Sequence, residues 1–284
     1  MLSDSRIAVI GFGVMGKAIV SSLISKGKVN PKSLIVVEPT PERLEMLSSE
    51  FGIKGYTDSA DVVGQADIVI LAVKPQGFKH VASSIKGNIK PDTLVLSIIA
   101  GVPLADLVDK LGVEQVVRAM PNTASQIGMG ITVWTKTDHV SEEKKQMAGE
   151  IIQTLGEEVF VDDEGYLDMA TALSGSGPAY VFLFMESMID AGVHMGFPRR
   201  IAEKLVVQTI RGSAEFFLQN HEHPARLRND VTSPGGTSAE ALYYLDKAGF
   251  RTAISRAIWA AYERSIELGK GKSKIVVDDK NKSE

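Results

Sequence analysis

Up to about residue 162 the chain alternates short, mostly apolar runs with stretches of helical periodicity. The runs at 6–10, 34–38, 67–73, 94–99, 116–120, 130–134 and 158–161 read as strands. Strands separated by helical stretches in this way build a parallel sheet covered on both faces. After Asp162-Asp163 the pattern changes, and from about residue 165 no strand pattern precedes the tail. Ser174-Gly175-Ser176-Gly177-Pro178 opens a long helix, with proline at the first turn, where its missing N–H costs nothing. Val181, Phe182, Phe184, Met185, Met188, Ile189 and Met195 lie on more than one face, which predicts a helix buried all round. A region of about 100 residues rarely buries such a helix unaided, so the pattern implies a subunit partner. Further helices are predicted at 198–220, 223–229, 237–247 and 250–269. The expected division is 1–163, α/β; 164–270, all helical; and 271–284, a polar tail that frays.

Chemistry enters at the first strand. Ile7-Ala8-Val9-Ile10 runs directly into Gly11-Phe12-Gly13-Val14-Met15-Gly16, and a helical stretch follows. This is G-x-G-x-x-G in strand–turn–helix context, the fingerprint of a Rossmann-type dinucleotide site. Gly11 allows the tight turn, Gly13 lets a pyrophosphate approach the backbone, and Gly16 lets helix and strand pack closely. The phosphates would meet the positive end of the helix dipole. A second strand ends in Glu38, roughly 20 residues on, where the fingerprint expects an acid. A carboxylate there accepts from both ribose hydroxyls and repels a 2′-phosphate, which leans towards NADH. Thr40 and Arg43 keep NADPH open, as holders of a 2′-phosphate should Glu38 swing aside. In a doubly wound sheet, ligands lie beyond the carboxyl ends of the strands. That adds Ala72-Val73-Lys74-Pro75, Ala100-Gly101 and Asn122 to the candidate cofactor site, with Asn122 offering a donor and an acceptor at the nicotinamide end.

A second cradle lies far along the chain, at Asp230-Val231-Thr232-Ser233-Pro234-Gly235-Gly236-Thr237-Ser238. Proline fixes one φ, and the glycines permit geometry closed to other residues. Thr237 and Glu240 have the spacing of a capping box ahead of Ala241-Leu242-Tyr243-Tyr244-Leu245. The expected product is a nest of N–H groups flanked by hydroxyls, suited to a small carboxylate.

Composition narrows the chemistry further. The net charge of −4 gives no electrostatic case for nucleic acid, and no cysteine is present for disulfides, thiolate catalysis or iron–sulfur ligation. No run resembles a membrane span, and the start lacks secretory-signal character, so a cytoplasmic protein is expected. His221 and His223 form an H-x-H without a third ligand nearby, and read as a solvated helix end. His194 reads as a packed or interfacial side chain, and His80 and His139 lack a flanking motif. Ser174 and Ser176 lack a His/Asp context for nucleophilic attack and read as a cap and a close backbone approach. With neither nucleophile nor metal evident, a bound nicotinamide supplies the reacting hydride, and the protein orients an amino- or imino-acid-like acceptor.

The chain resembles the pyrroline-5-carboxylate reductases from about residue 6 to residue 268. Five motifs carry the resemblance: Gly11 to Gly16, Ala72 to Pro75, Arg118-Ala119-Met120-Pro121-Asn122-Thr123, Leu173 to Tyr180, and the Asp230 to Ser238 loop. It implies a Rossmann-type domain followed by an all-α dimerisation domain that also binds substrate. It implies interlocked homodimers, further assembled into decamers, with each active site drawing helical loops from the partner. It implies reduction of the C=N bond of 1-pyrroline-5-carboxylate by NADH or NADPH, the last step of proline biosynthesis. The substrate carboxylate would lie on Ser233, Gly235, Gly236 and Thr237, and the Ser238 hydroxyl would face the ring nitrogen as the catalytic group. Glu164 falls where related enzymes carry an acid near the substrate, and Asp230 where some carry asparagine. Two other readings stand beside this one. A reductase of the β-hydroxyacid dehydrogenase type would carry a lysine on the first long helix, and none occurs between 178 and 198. A non-catalytic NAD(P) sensor would not need the Ser233–Ser238 nest.

Overall fold

The computed structural model describes residues 2–270, and the tail expected at 271–284 lies outside them. The chain divides into two compact units, one running up to Ser176 and resuming at Ala261, the other spanning Gly177–Ala260.

The first unit opens with β1 (Ile7–Ile10), α1 (Val14–Ser25), β2 (Leu34–Val37), α2 (Pro41–Phe51), β3 (Gly55–Tyr56) and α3 (Ala60–Val63). It continues through β4 (Ile68–Leu71), α4 (Pro75–Ile85), β5 (Leu94–Ser97), α5 (Leu104–Leu111) and β6 (Val116–Met120). After β6 come β7 (Gly130–Lys136), α6 (Glu142–Gln153), β8 (Gly156–Phe160) and α7 (Gly165–Ala170). The strands form one eight-stranded sheet in the order β3-β2-β1-β4-β5-β6-β7-β8. Every pairing is parallel except β6 with β7. Strand order reverses beside β1, which makes the crevice above β1 and β4 the natural ligand position.

The sheet explains why its strands are apolar at every position. Ile7, Val9, Val36, Ile68, Ile70, Leu94 and Leu96 face one core with Ile19, Val20 and Leu23 of α1 and Ile151 and Ile152 of α6. Their neighbours Ala8, Ile10, Val69, Leu71 and Val95 face a second core with Phe78, Ala82 and Ile85 of α4 and Leu107 and Leu111 of α5. Burial on both faces removes the alternation of a one-sided sheet. The expected strands at 67–73 and 94–99 prove shorter, because Ala72-Val73 and Ile98-Ile99 already belong to the loops above the sheet. Two-residue β3 is an addition: it pairs Gly55 and Tyr56 with Val36 and Val37 and carries too few residues for a periodic signal.

The second unit holds α8 (Gly177–His194), α9 (Arg199–Asn220), α10 (Pro224–Asp230), α11 (Thr237–Lys247) and the start of α12 (Phe250–Gly269). A turn of π-helix, Thr171–Gly175, ends the first stretch of the sheet unit, so the units divide thirteen residues beyond the change in sequence pattern at Asp163. α8 and α9 cross where Gly192 meets Ala202; a Cβ on Gly192 would stand 3.1 Å from the Ala202 methyl. Burial of α8 on all sides, as the sequence suggested, is not achieved within one chain: Phe182 and Leu183 are 62% and 64% exposed. Only Ala202 and Val206 are buried apolar side chains of α9. Each large apolar side chain covered by a partner would contribute about 1.5–3 kcal/mol. No described helix is long and apolar enough to cross a membrane.

Candidate active site

The glycine turn is built from backbone approaches that side chains would prevent. Gly11 has φ +99° and donates to the Val37 carbonyl at 2.8 Å. A Cβ there would lie 2.8 Å from the Ala72 carbonyl oxygen, and one on Gly16 would overlap the Gly11 carbonyl. Gly13 differs: apart from its chain neighbours, no atom of the described residues lies within 4 Å of where its Cβ would stand. It is the N-cap of α1, in extended backbone, and no side chain caps the helix. The first-turn N–H groups of α1 are therefore left for something other than protein side chains. Open space over Gly13 fits the close approach of a pyrophosphate, so the residues present suit a dinucleotide. Val14 is exposed, whereas the Phe12 ring is buried against Phe51.

Glu38 sits just past β2 and is almost wholly buried. Its Oε2 accepts from the Phe12 N–H at 2.9 Å, and its Oε1 accepts from the Thr40 N–H at 3.1 Å. Arg43 Nη1 lies 3.4 Å from Oε2. Burial pushes the carboxyl pKa up. The Thr40 hydroxyl, the two backbone N–H groups and the Arg43 charge together outweigh it and hold the pKa below the ordinary range. Glu38 is thus a charged pin between the glycine turn and the start of α2, as well as a candidate ribose acceptor.

The other strand exits differ in how they are occupied. Ala72 and Val73 are half-buried, with Val73 pressed towards Gly11, while Lys74 and Pro75 are exposed at the uncapped start of α4. The Asn122 amide oxygen accepts from the Ile131 N–H at 3.3 Å, which fixes the carboxamide at the exit of β6. Gly101 follows Ala100 with φ +72° and lies against the last turn of α12. Glu164, expected beside the substrate, is engaged inside the sheet unit: its Oε1 takes Arg118 Nη1 at 2.6 Å and the Leu104 N–H at 2.8 Å. Arg118 itself is buried in β6.

In the helical unit, the Ser233–Ser238 segment forms the start of α11. Gly235 has φ +70°, and the Gly236 N–H donates to the Ser233 carbonyl at 3.0 Å. The capping box anticipated from Thr237 and Glu240 is absent. Gly236, not Thr237, is the N-cap, and no side chain caps the helix. Thr237 is already in the first helical turn, where its hydroxyl cannot fold back as an N-cap does. The outcome favours ligand binding more than the expected box would, because the leading N–H groups are left open. The Ser233 hydroxyl stands over Gly236, 2.5 Å from where a Cβ would be. Ser233, Pro234, Gly235 and Thr237 are exposed, and Ser238 is half-buried. Asp230 pairs with Arg226 at 3.1 Å on α10.

The residues set aside have local roles. His221 caps α9 in left-handed geometry at φ 54°, and His223 Nδ1 accepts from the Ala225 N–H at the start of α10. No group of metal-binding side chains occurs among the described residues. The Ser174 hydroxyl donates to the Ala170 carbonyl inside the π turn. Two features escaped the sequence reading: the inward turn of Glu38 and the Arg118–Glu164 pair. A charged residue within the buried run Val116-Val117-Arg118-Ala119-Met120 was the available signal for the second.

Comparison with known proteins bears on all of this. A family described as pyrroline-5-carboxylate reductase dimerisation matches residues 164–268. One described as NADP oxidoreductase coenzyme F420-dependent matches residues 6–101. A pyrroline-5-carboxylate reductase from Synechocystis sp. is 40% identical over 265 residues, covering 93% of this chain and 98% of that protein. The structure of Plasmodium falciparum pyrroline carboxylate reductase with NADP bound is similar at a TM-score of 0.87 and 30% identity, covering 95% of this chain and 100% of that one. That of a pyrroline-5-carboxylate reductase from Coxiella burnetii is similar at 0.85 and 34%, covering 95% and 99%.

Proposed function

The chain belongs to the pyrroline-5-carboxylate reductase family, and from that premise we propose how its residues divide the work of an NAD(P)H-dependent reduction of a cyclic imino acid. With the substrate counted as its nitrogen-protonated zwitterion, the balanced reaction is (S)-1-pyrroline-5-carboxylate + NAD(P)H + H⁺ → L-proline + NAD(P)⁺. The match to a dimerisation family makes the chain a protomer of a homo-oligomer, in keeping with the exposed apolar faces of α8 and α9. An interlocked dimer, its further assembly into a decamer, and a cytoplasmic site of action complete the reading.

When bound, the reduced nicotinamide supplies the hydride that adds to the C=N carbon. Gly11, Gly13 and Gly16, with the backbone of Phe12, Val14 and Met15, hold the pyrophosphate at the start of α1. Glu38 meets the adenosine ribose. Its fixed negative charge supports a lean towards NADH, while Arg43 beside it keeps NADPH within reach. Ala72 to Pro75, Ala100, Gly101 and Asn122 line the remainder of the cofactor site. The substrate carboxylate rests on Ser233, Gly235, Gly236 and Thr237. The Ser238 hydroxyl orients the ring nitrogen, and a nitrogen that arrives protonated accepts hydride without a strong protein acid. Arg118 and the Leu104 N–H engage Glu164 through Oε1, so a substrate contact by Glu164 would fall to its other carboxylate oxygen.

The observation that carries the substrate reading is the start of α11, with its leading N–H groups uncapped and the Ser233 hydroxyl held beside them. Loss of NADH and NADPH absorbance with pyrroline-5-carboxylate present, and L-proline as product, tests it. No turnover with either dinucleotide sinks it.

A further inference from the structure

Two contacts meet the loop that follows β5, and a third ties the helix behind one of them to α7. Glu164 Oε1 accepts from the Leu104 N–H at 2.8 Å and so caps α5 from another element. The last turn of α12 lies against Gly101, where a Cβ would stand 3.2 Å from Leu268 Cβ and 3.4 Å from the Gly269 nitrogen. Ser265, the one α12 residue that is buried, donates to Asp168 Oδ1 at 2.6 Å. Between the two acids sits Arg118, with Nη1 2.6 Å from Glu164 Oε1 and Nη2 3.8 Å from Asp168 Oδ1. One buried guanidinium thereby ties β6, the start of α5, α7 and the end of α12 into a single set. Buried charges persist only when paired and hydrogen-bonded, and such sets respond as units rather than as separate bonds. What the set fixes from both sides is the segment Ala100 to Leu104, at the carboxyl edge of the sheet.

We propose that Arg118, Glu164, Asp168 and Ser265 are positioning residues of the nucleotide site, and that the last turn of α12 is a structural part of that site. They act by setting the wall that Ala100 and Gly101 present to the cofactor. The inference rests on the nucleotide reading above, and it gives Glu164 a role away from the substrate. It also explains why a helix that begins in the helical unit ends in the sheet unit.

The test is titration of the full-length protein with NADH and with NADPH, followed by tryptophan fluorescence or calorimetry, alongside melting temperatures. Arg118→Met strips two carboxylates of their cation and is the variant most exposed to loss of the fold, so Ser265→Ala, Asp168→Asn and Gly101→Ala carry the test. The dissociation constant is expected to rise about tenfold in Ser265→Ala and Asp168→Asn, because small misplacements of a binding wall are costly, and further in Gly101→Ala. KM for the imino acid should stay within about twofold of wild type in Ser265→Ala, since the substrate nest is untouched. A lowered melting temperature with unmoved dinucleotide affinity in Ser265→Ala and Asp168→Asn marks a purely structural tie and overturns the proposal. If the wild type binds neither dinucleotide, the nucleotide reading itself falls and takes this inference with it.

Discussion

α1 and α11 start in nearly the same way and sit in very different surroundings. Each has a glycine N-cap in extended backbone, Gly13 at φ −72° and Gly236 at φ −81°, and neither helix is capped by a side chain. Around Gly13 the fold is closed: β1, β2 and β4 are buried on both faces, and Glu38 holds the turn through Phe12. Around Gly236 the fold is open, for α11 contains no buried residue. Their polar equipment differs as well. Over Gly13 there is empty space and only backbone donors, which suits a pyrophosphate that supplies many acceptor oxygens of its own. Over Gly236 stands the Ser233 hydroxyl, which adds a side-chain donor and suits a smaller carboxylate. The comparison teaches that two helix starts of the same backbone geometry can differ in what surrounds them, and under the proposed function those neighbours decide which anion each takes.

The most severe way to break the comparison is at the rigid cradle. Gly16→Ala forces a methyl into the Gly11 carbonyl, and a backbone neighbour cannot rotate away. Overpacking of this kind costs about 1–3 kcal/mol or more. Dinucleotide affinity should fall by at least about 100-fold, equivalent to some 2.7 kcal/mol. Gly13→Ala is its counterpart. Beyond its chain neighbours the methyl meets nothing among the described residues, so the melting temperature should hold while the dinucleotide weakens. Equal melting temperatures and equal dissociation constants for wild type and Gly13→Ala would show that no ligand approaches this turn.

At the open cradle the effects should appear in turnover and in KM rather than in stability. Ser238→Ala removes the hydroxyl proposed to orient the ring nitrogen, and loss of orientation should lower kcat by about 10- to 100-fold. Dinucleotide binding should not change, since the variant leaves the sheet unit intact. Unchanged kcat would remove Ser238 from the mechanism. Gly236→Ala is milder. Its methyl meets a hydroxyl that can rotate and the Ser233 carbonyl oxygen at 3.1 Å, so the side chain swings away and the backbone gives by a few tenths of an ångström. KM for the imino acid should rise about tenfold, the equivalent of roughly 1.4 kcal/mol. A matching rise in the dinucleotide dissociation constant would mean that the two cradles are not independent.

The same contrast governs what could be read from the sequence. The rigid cradle was legible because covalent sterics impose it: G-x-G-x-x-G after a buried strand has one common solution, and the order of strands and helices followed from apolar runs. The open cradle was legible as a place but not in detail. Thr237 and Glu240 have capping-box spacing, yet the helix begins one residue earlier, and spacing alone does not distinguish a capped start from one left free. Coverage of α8, expected to need a second subunit, is left incomplete within one chain for a related reason. Apolar periodicity shows that a face must be covered, and it does not show by which molecule. Contacts distant in sequence, such as Ser265 with Asp168 or Glu164 with Leu104, carry no local pattern at all.

The smallest expected effect concerns Glu38, where the rigid cradle carries a charge of its own. Its pKa lies below the ordinary glutamate range although burial opposes ionisation, because the Thr40 hydroxyl, two N–H groups and Arg43 favour the charged form more strongly. A carboxyl depressed on folding stabilises the fold above its unfolded pKa, and that contribution is lost as pH falls through the folded value. Acidification below the ordinary glutamate range should therefore loosen the glycine turn of the wild type. Glu38→Gln keeps an acceptor for the Phe12 N–H but cannot titrate, so its melting temperature should fall less between neutral and acid pH. The same substitution removes a negative charge next to Arg43, which then meets a 2′-phosphate unopposed. The affinity ratio of NADPH to NADH should rise by up to about fivefold, the scale of a partly exposed ion pair. An identical acid loss in wild type and variant would assign the transition to another group, and an unchanged ratio would show that the buried carboxylate pins the turn without sensing the ribose.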